Sequence, residues 1–259
     1  MRQISSTTVR WTASLAVLVL WETLPRLGLV PELFLPPLSR TVFVLATNWQ
    51  EYAEALGVTL VEVCAAGAIA CGGGILSGAV IGSVPTLRTL LLPLASGVYA
   101  VPIVILYPIL TVWCGIGPQS KIAFAAIYGF FPTMLAAAAG IRTIDASLLL
   151  TARSMGATLP QRVLRVILPA AMPTVFAGVR LGGALVIVGV VVAEMLTSTA
   201  GIGYLVSRYR TILASAHVYA AILCVLLLGV LFDTLVRFIE RRVSWQLTDD
   251  RRAAPVPAT

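Results

Sequence analysis

The chain has 259 residues, 59% hydrophobic and 11% charged, with a formal net charge of +7. A composition this apolar excludes a water-soluble globular domain. The basic residues are dispersed between apolar runs and no soluble domain gathers them, which argues against a nucleic-acid partner.

Uncharged runs over 63–87, 89–120, 122–141 and 211–232 are each long enough for a bilayer-crossing helix, which takes about 20 residues. Backbone groups in lipid must be satisfied within the segment, so such runs read as helices and not as barrel strands. Residues 11–30 and 173–195 also qualify, although Glu22, Arg26, Arg180 and Glu194 interrupt them. The expected architecture is all-α and polytopic, with about six transmembrane helices in one domain over 11–242. A short N-terminal segment, 1–10, precedes it, and a disordered tail, 243–259, follows. No small-residue cleavage site follows the first apolar stretch, so it reads as a retained signal anchor.

In chain order, the first span places Glu22 and Arg26 four residues apart on one face, where they can pair. Pro31, Pro36 and Pro37 break it, and 38–56 reads as an amphipathic helix on the outer face. The second span, 56–84, carries a glycine-rich stretch from Gly72 to Gly82 that lets neighbouring helices approach closely. A nucleotide P-loop there is ruled out: it ends in Gly-Lys-Ser/Thr, and the one lysine, Lys121, follows Ser120. The chain is expected to bind no cofactor of its own. Arg88 marks an inner turn, and the third span, 90–114, contains Pro93, Pro102 and Pro108. Residues 115–121 turn outside, 122–141 form the fourth span, and 173–195 and 218–238 form the fifth and sixth. Cys64, Cys71, Cys114 and Cys224 lie in spans without C-x-x-C spacing and read as small buried hydrophobes, with no metal site.

With the N-terminus inside, twelve basic residues fall on inner segments: Arg2, Arg10, Arg88, Arg142, Arg153, Arg162, Arg165, Arg237, Arg241, Arg242, Arg251 and Arg252. Five fall outside: Arg26, Arg40, Lys121, Arg208 and Arg210. This bias predicts that both termini are cytoplasmic, with the excess positive charge facing anionic head groups.

The segment from Asp145 to Pro169 is polar, arginine-bearing and longer than a loop between two spans requires. Leu148, Leu149, Ala152 and Met155 make an apolar stripe on a short helix that Asp145 caps, Arg153 complements and Gly156 ends. Thr158 or Leu159 caps a second helix with Pro160 in its first turn, whose Val163, Leu164, Val166 and Ile167 face the membrane; Pro169 and Pro173 lead it into the fifth span. Amphipathicity alone fits two arrangements, a hairpin lying on the inner leaflet or a helix presented to a cytoplasmic partner.

The segment resembles the cytoplasmic signature loop of permease subunits of binding-protein-dependent ABC importers, in which Glu-Ala-Ala is followed by Gly and, further on, Ile-x-Leu-Pro. Leu150-Thr151-Ala152 stands at the triplet, Arg153 to Ala157 follows in register, and Val166-Ile167-Leu168-Pro169 closes the pattern. The triplet's acidic residue is missing here, its place taken by Leu150. Further words similar to the nitrate, sulfonate and taurine permeases include Gly115-Ile116-Gly117, Phe131-Pro132, Ala193-Glu194 and Gly201-Ile202-Gly203-Tyr204. The likeness runs from about Trp11 to Arg242.

The resemblance implies a type I importer permease fold in the bacterial inner membrane. It implies a dimer of permeases, two cytoplasmic ATPase subunits that use the ATP, and an extracytoplasmic solute-binding protein; a single chain of this type pairs with itself. The coupling loop is expected to comprise Leu150, Thr151, Ala152, Arg153, Met155, Gly156 and Ala157, with Leu168 and Pro169 closing it. Candidates for the translocation path are Pro102, Tyr107, Arg180 and Glu194. Arg180 also has Asp145 and Asp233 as ion-pair candidates, and Glu194 has Arg208, Arg210 and nearby backbone groups. The expected function is a non-enzymatic transport subunit for a small anion such as a sulfonate, taurine or nitrate. The alternative is an ATP-independent secondary transporter or channel, although inverted repeats and acid–base relays are not evident. An intramembrane enzyme lacks a nucleophile–base or metal constellation.

Overall fold

The structure, a computed structural model, describes residues 6–252, and no strand occurs among them. The helices are α1 (Ser6–Arg26), α2 (Leu38–Thr47), α3 (Trp49–Ser83), α4 (Pro85–Tyr99), α5 (Tyr107–Cys114), α6 (Pro118–Arg142), α7 (Ala146–Ser154), α8 (Leu159–Arg162), α9 (Leu168–Thr197), α10 (Ile202–Thr211) and α11 (Ser215–Arg252). A 3-10 turn, Ile103–Leu106, precedes α5, and a π turn, Val163–Ile167, precedes α9.

Among the described residues four stretches are long and apolar enough to cross a membrane: α3, α6, Val163–Thr197 and Ser215–Val243. The expected third span is not one rod. Its two halves, Pro85–Tyr99 and Ile103–Cys114, meet at a bend of 83° and make a fifth crossing if taken together. The break follows from Pro102, which offers no N–H and pushes the preceding residue out of helical geometry. Val101 accordingly closes α4 with a tighter bond from its amide to the Val98 carbonyl, 3.1 Å. Pro108 is harmless because it sits in the first turn of α5, where its missing donor is not needed. The expected first span is helical as α1 but is not among the four, its apolar run being diluted by Arg10, Glu22 and Arg26.

Two other boundaries differ from expectation. The helix expected over 38–56 stops at Thr47, where Asn48 caps it, and α3 begins at Trp49. At 35 residues α3 is about 52 Å long, well beyond the roughly 30 Å hydrocarbon core. At the other terminus α11 continues to Arg252, into the stretch read as a disordered tail; 253–259 lie outside the described residues. Of the cysteines only Cys224 is buried; Cys64 and Cys114 are exposed, Cys71 half-buried.

The chain forms two compact units. One comprises the chain up to Leu60 together with Glu194–Leu227. Its core gathers Tyr52, Ala55, Ile202, Leu205, Val206, Tyr209, Ala220, Ala221 and Cys224. The Trp21 indole donates to the Pro36 carbonyl at 3.0 Å, fixing the proline-rich turn after α1. His217 is structural: it stacks on Tyr209 with ring centroids 4.2 Å apart and lies 3.2 Å from the Tyr52 hydroxyl. Leu213 closes α10 at φ 57, a left-handed position where glycine is usual.

The second unit, Val61–Ala193 with Leu228 onward, is organised around α6. One side of α6 meets the glycines of α3. A Cβ on Gly78 would lie 2.3 Å from the Met134 carbonyl oxygen, and one on Gly82 2.9 Å from that of Ala138. The other side meets α9 equally closely, since a Cβ on Gly182 would stand 2.0 Å from the Thr133 hydroxyl. Small residues therefore do what the sequence predicted: they bring backbones together where lipid offers no hydrophobic drive between helices.

Candidate coupling loop and buried charges

The segment between α6 and α9 is built from local signals. At its start the Ser147 amide donates to the Asp145 carboxylate at 2.9 Å, capping α7. That backbone hydrogen bond holds the Asp145 carboxyl below its ordinary value. The cap therefore contributes above the unfolded pKa and is lost as pH falls through the folded one. At the other end Gly156 takes φ 75, its amide bonds the Arg153 carbonyl at 2.9 Å, and the Ala157 amide bonds that of Ala152 at 3.0 Å. These paired bonds make a Schellman termination, which calls for a residue without a Cβ penalty at the left-handed position. The chain restarts at Thr158, whose amide donates to the Gln161 side chain at 2.9 Å, half of a capping box. Pro169 deprives the Arg165 carbonyl of its helical donor, and the wider π turn from Val163 to Ile167 lies at that irregularity, while Pro173 lies inside α9.

The expected apolar stripe divides between two directions. Ala152 is buried and Leu149 half-buried against the body, whereas Met155 is 82% exposed, Leu150 65% and Leu148 46%. In the second helical segment Val163 and Leu164 are exposed, while Val166 and Ile167 are half-buried. Thr151 and Arg153 are also exposed, Ala157 is half-buried, and Leu168 and Pro169 sit at the entry to α9. Projecting Leu150 and Met155 beside the rigid Gly156 turn, the loop presents apolar knobs suited to a partner's cleft.

The translocation candidates sit in different surroundings. Pro102 is exposed at the bend. Tyr107 is buried with Ile103, Leu110, Phe124 and Ala193, and meets Phe124 edge-on at 5.2 Å. Arg180 pairs with Asp233 at 3.3 Å and with Glu240; Asp145 is not its partner. Glu194, 1% exposed, accepts from the Thr59 hydroxyl and from the Gly203 amide, each at 2.8 Å. The Thr59 oxygen in turn accepts from the Ile202 amide at 2.9 Å. A carboxylate and a hydroxyl thus cap the N-terminus of α10, where the helix dipole favours negative charge. Gly201, at φ 102, is required there, because its Cβ would lie 2.0 Å from a Glu194 oxygen. Of the basic residues expected beside Glu194, Arg208 is engaged by Glu51 at 2.9 Å. Tyr209 donates to the same carboxylate at 2.5 Å. Burial, with Glu51 beside it, pushes the Tyr209 hydroxyl up to about 12, so it stays a donor at neutral pH.

Sequence reasoning missed Glu62. It is buried on α3 in an ion pair with Lys121, which is buried too and not on an outer turn. A residue type so costly in a span marks the position, but Glu62 borders an uncharged run and passes for its flank.

A multi-helix membrane subunit with an exposed, rigidly capped loop between two spans is the class that this geometry defines. The chain belongs to the family of binding-protein-dependent transport system inner membrane components, whose model matches residues 71–245. It is 31% identical over 243 residues to the taurine transport system permease protein TauC of Escherichia coli K12, covering 89% of this chain and 87% of that protein. It is 29% identical over 233 residues to the putative aliphatic sulfonates transport permease protein SsuC of Bacillus subtilis 168, covering 88% and 83%. Among solved structures, a chain of the MetNI methionine ABC transporter shares the fold with a TM-score of 0.55 at 22% identity, over 76% of this chain and 94% of that one. The chain is therefore a membrane-embedded permease subunit of an ABC importer, a transport subunit and not an enzyme. Its family operates with an ATPase and a solute-binding protein, which removes the self-contained carrier as an alternative.

Proposed function

We propose that the chain forms, as a homodimer, the translocation pathway for a small organic anion of the sulfonate class, taurine included. The similarity to taurine and aliphatic sulfonate permeases over most of the chain supports this substrate class. Both termini and the 145–169 loop face the cytoplasm, in keeping with the distribution of arginine. The knobs Leu150 and Met155 and the Gly156 turn seat in a cleft of the ATPase, which binds and hydrolyses the ATP. Closure of the ATPase dimer then shifts the balance between two permease packings, which the loaded binding protein biases from the other side.

The observation that carries the coupling role is the complete Schellman turn at Gly156, which fixes the direction of the knobs. Nothing lies within 4 Å of a Cβ built there, so a side chain meets no clash and acts through backbone strain alone. Gly156→Val is expected to cost about 1–2 kcal/mol in the turn, lowering transport roughly tenfold while nucleotide hydrolysis continues. Gly156→Asn should retain most transport, because Asn tolerates the left-handed region. The measurement is uptake of radiolabelled taurine and ethanesulfonate into proteoliposomes holding permease, ATPase and binding protein. Uptake in Gly156→Val equal to wild type would remove the coupling role, and failure of either anion to accumulate would remove the substrate class.

A further inference from the structure

The groove on the loop side of the second unit shares Leu150 and Arg153 with the coupling loop, and the rest of its lining is not used by the coupling role. It encloses about 490 Å³ between the end of α3 at Ser83, Leu149 and Arg153 of α7, and Arg162, Val163 and Ile167 before α9. Its walls are aliphatic and its charges are both guanidinium groups. No carboxylate lines it, and neither Arg153 nor Arg162 has an ion-pair partner among the described residues. The Nε of Arg162 is buried without an acceptor there. The groove also lies where α3 ends and the apolar stretch Val163–Thr197 begins.

We infer that this groove is a binding site for an anionic phospholipid, its phosphate held by Arg153 and Arg162 and an acyl chain laid on Val163 and Ile167. An anion alone would leave the aliphatic wall wet, and an apolar ligand would leave the exposed Arg153 and the half-buried Arg162 unmatched. A phospholipid satisfies both. Guanidinium suits the phosphate because its planar fork reaches two oxygens at once. The inference takes from the proposed function only that the groove faces the cytoplasmic leaflet. Because Arg153 belongs to the coupling loop, a bound head group fixes one edge of the element that meets the ATPase.

Native mass spectrometry of the purified permease, without ATPase, tests this with phosphatidylglycerol and phosphatidylcholine of equal chain length. Wild type should retain phosphatidylglycerol preferentially, and Arg153→Gln/Arg162→Gln should lose that preference by roughly thirtyfold, about fivefold for each guanidinium. Arg165→Gln, a basic residue outside the groove, serves as the control and should keep it. Equal retention of both lipids by wild type, or an unchanged preference in the double variant, overturns the site. So does displacement of the lipid by inorganic phosphate at equal concentration, which would reduce it to an anion site. In a separate pull-down with the ATPase added, a double variant that keeps its lipid preference but no longer captures the ATPase also overturns it, making the groove part of the protein interface. Failure of the transport reading would look different: no ATP-dependent uptake, with the lipid preference intact.

Discussion

Lys121→Ala is expected to destabilise the folded permease by about 3–5 kcal/mol, because it removes the ammonium and leaves the Glu62 carboxylate buried with its charge. Both side chains are almost fully buried, at 6% and 3% exposure, so water cannot substitute for the lost partner. Breaking the pair is costly, but having it is not evidence of stability. The two desolvation penalties roughly cancel the attraction, and a matched apolar replacement can be neutral. Glu62→Gln/Lys121→Met should therefore recover most of what Lys121→Ala loses, a coupling that a double-mutant cycle measures. Thermal unfolding in detergent, together with abundance in membranes, reads both effects. A Lys121→Ala protein as stable as wild type would mean that Glu62 protonates, or that its other interactions hold the charge, at negligible cost.

Gly201→Ala should be at least as damaging and by a different route. The new Cβ would stand 2.0 Å from one Glu194 oxygen and 2.2 Å from its carboxyl carbon, and φ 102 is itself unfavourable for alanine. The carboxylate must move, breaking its bonds from Thr59 and Gly203 and uncapping α10. Two charge-assisted hydrogen bonds and the backbone strain together amount to about 4–6 kcal/mol. Glu194→Gln keeps the shape and gives up the charge, so its loss should be smaller, about 1–2 kcal/mol. Protease protection of 194–211 compared with that of the remaining chain would locate the damage. If Gly201→Ala is no worse than Glu194→Gln, the close approach does not govern this corner.

The contrast between these buried charges and the coupling loop shows what a single sequence discloses. Asp145 and Gly156, and Gln161 at the Thr158 amide, act on backbone groups within a few residues of themselves, so the ends of α7 and the start of α8 depend on local signals alone. Which face of α7 is buried is not legible, because Ala152 and Met155 are both apolar and only the neighbouring helices decide that Ala152 turns inward. Glu194 and Thr59 are 135 residues apart, and each alone reads as an isolated polar residue in or near a span. Gly201 carries a signal, but its reason lies in a side chain that arrives from α9. Proline shows the same limit. Pro93, Pro102 and Pro108 look alike in sequence, yet only Pro102 coincides with the 83° break, since Pro93 lies within α4 and Pro108 in an opening turn. Helix α10 is hidden for a further reason. Its ten residues are too few and too polar to resemble a span, and its N-terminus is secured by groups from other helices.

Gly74, Gly78 and Gly82 recur every fourth residue on α3, each against the backbone or Cβ atoms of α6 between Phe130 and Ile141. Such a seam works like a key in a slot. A slip of one or two residues would drive a side chain of α3 into carbonyl oxygens of α6, and only a full-turn step, about 6 Å, would bring glycine back opposite them. The facing stretches of the two helices, 74–82 and 130–141, are thereby held in register, and sliding between them is open only in full-turn steps.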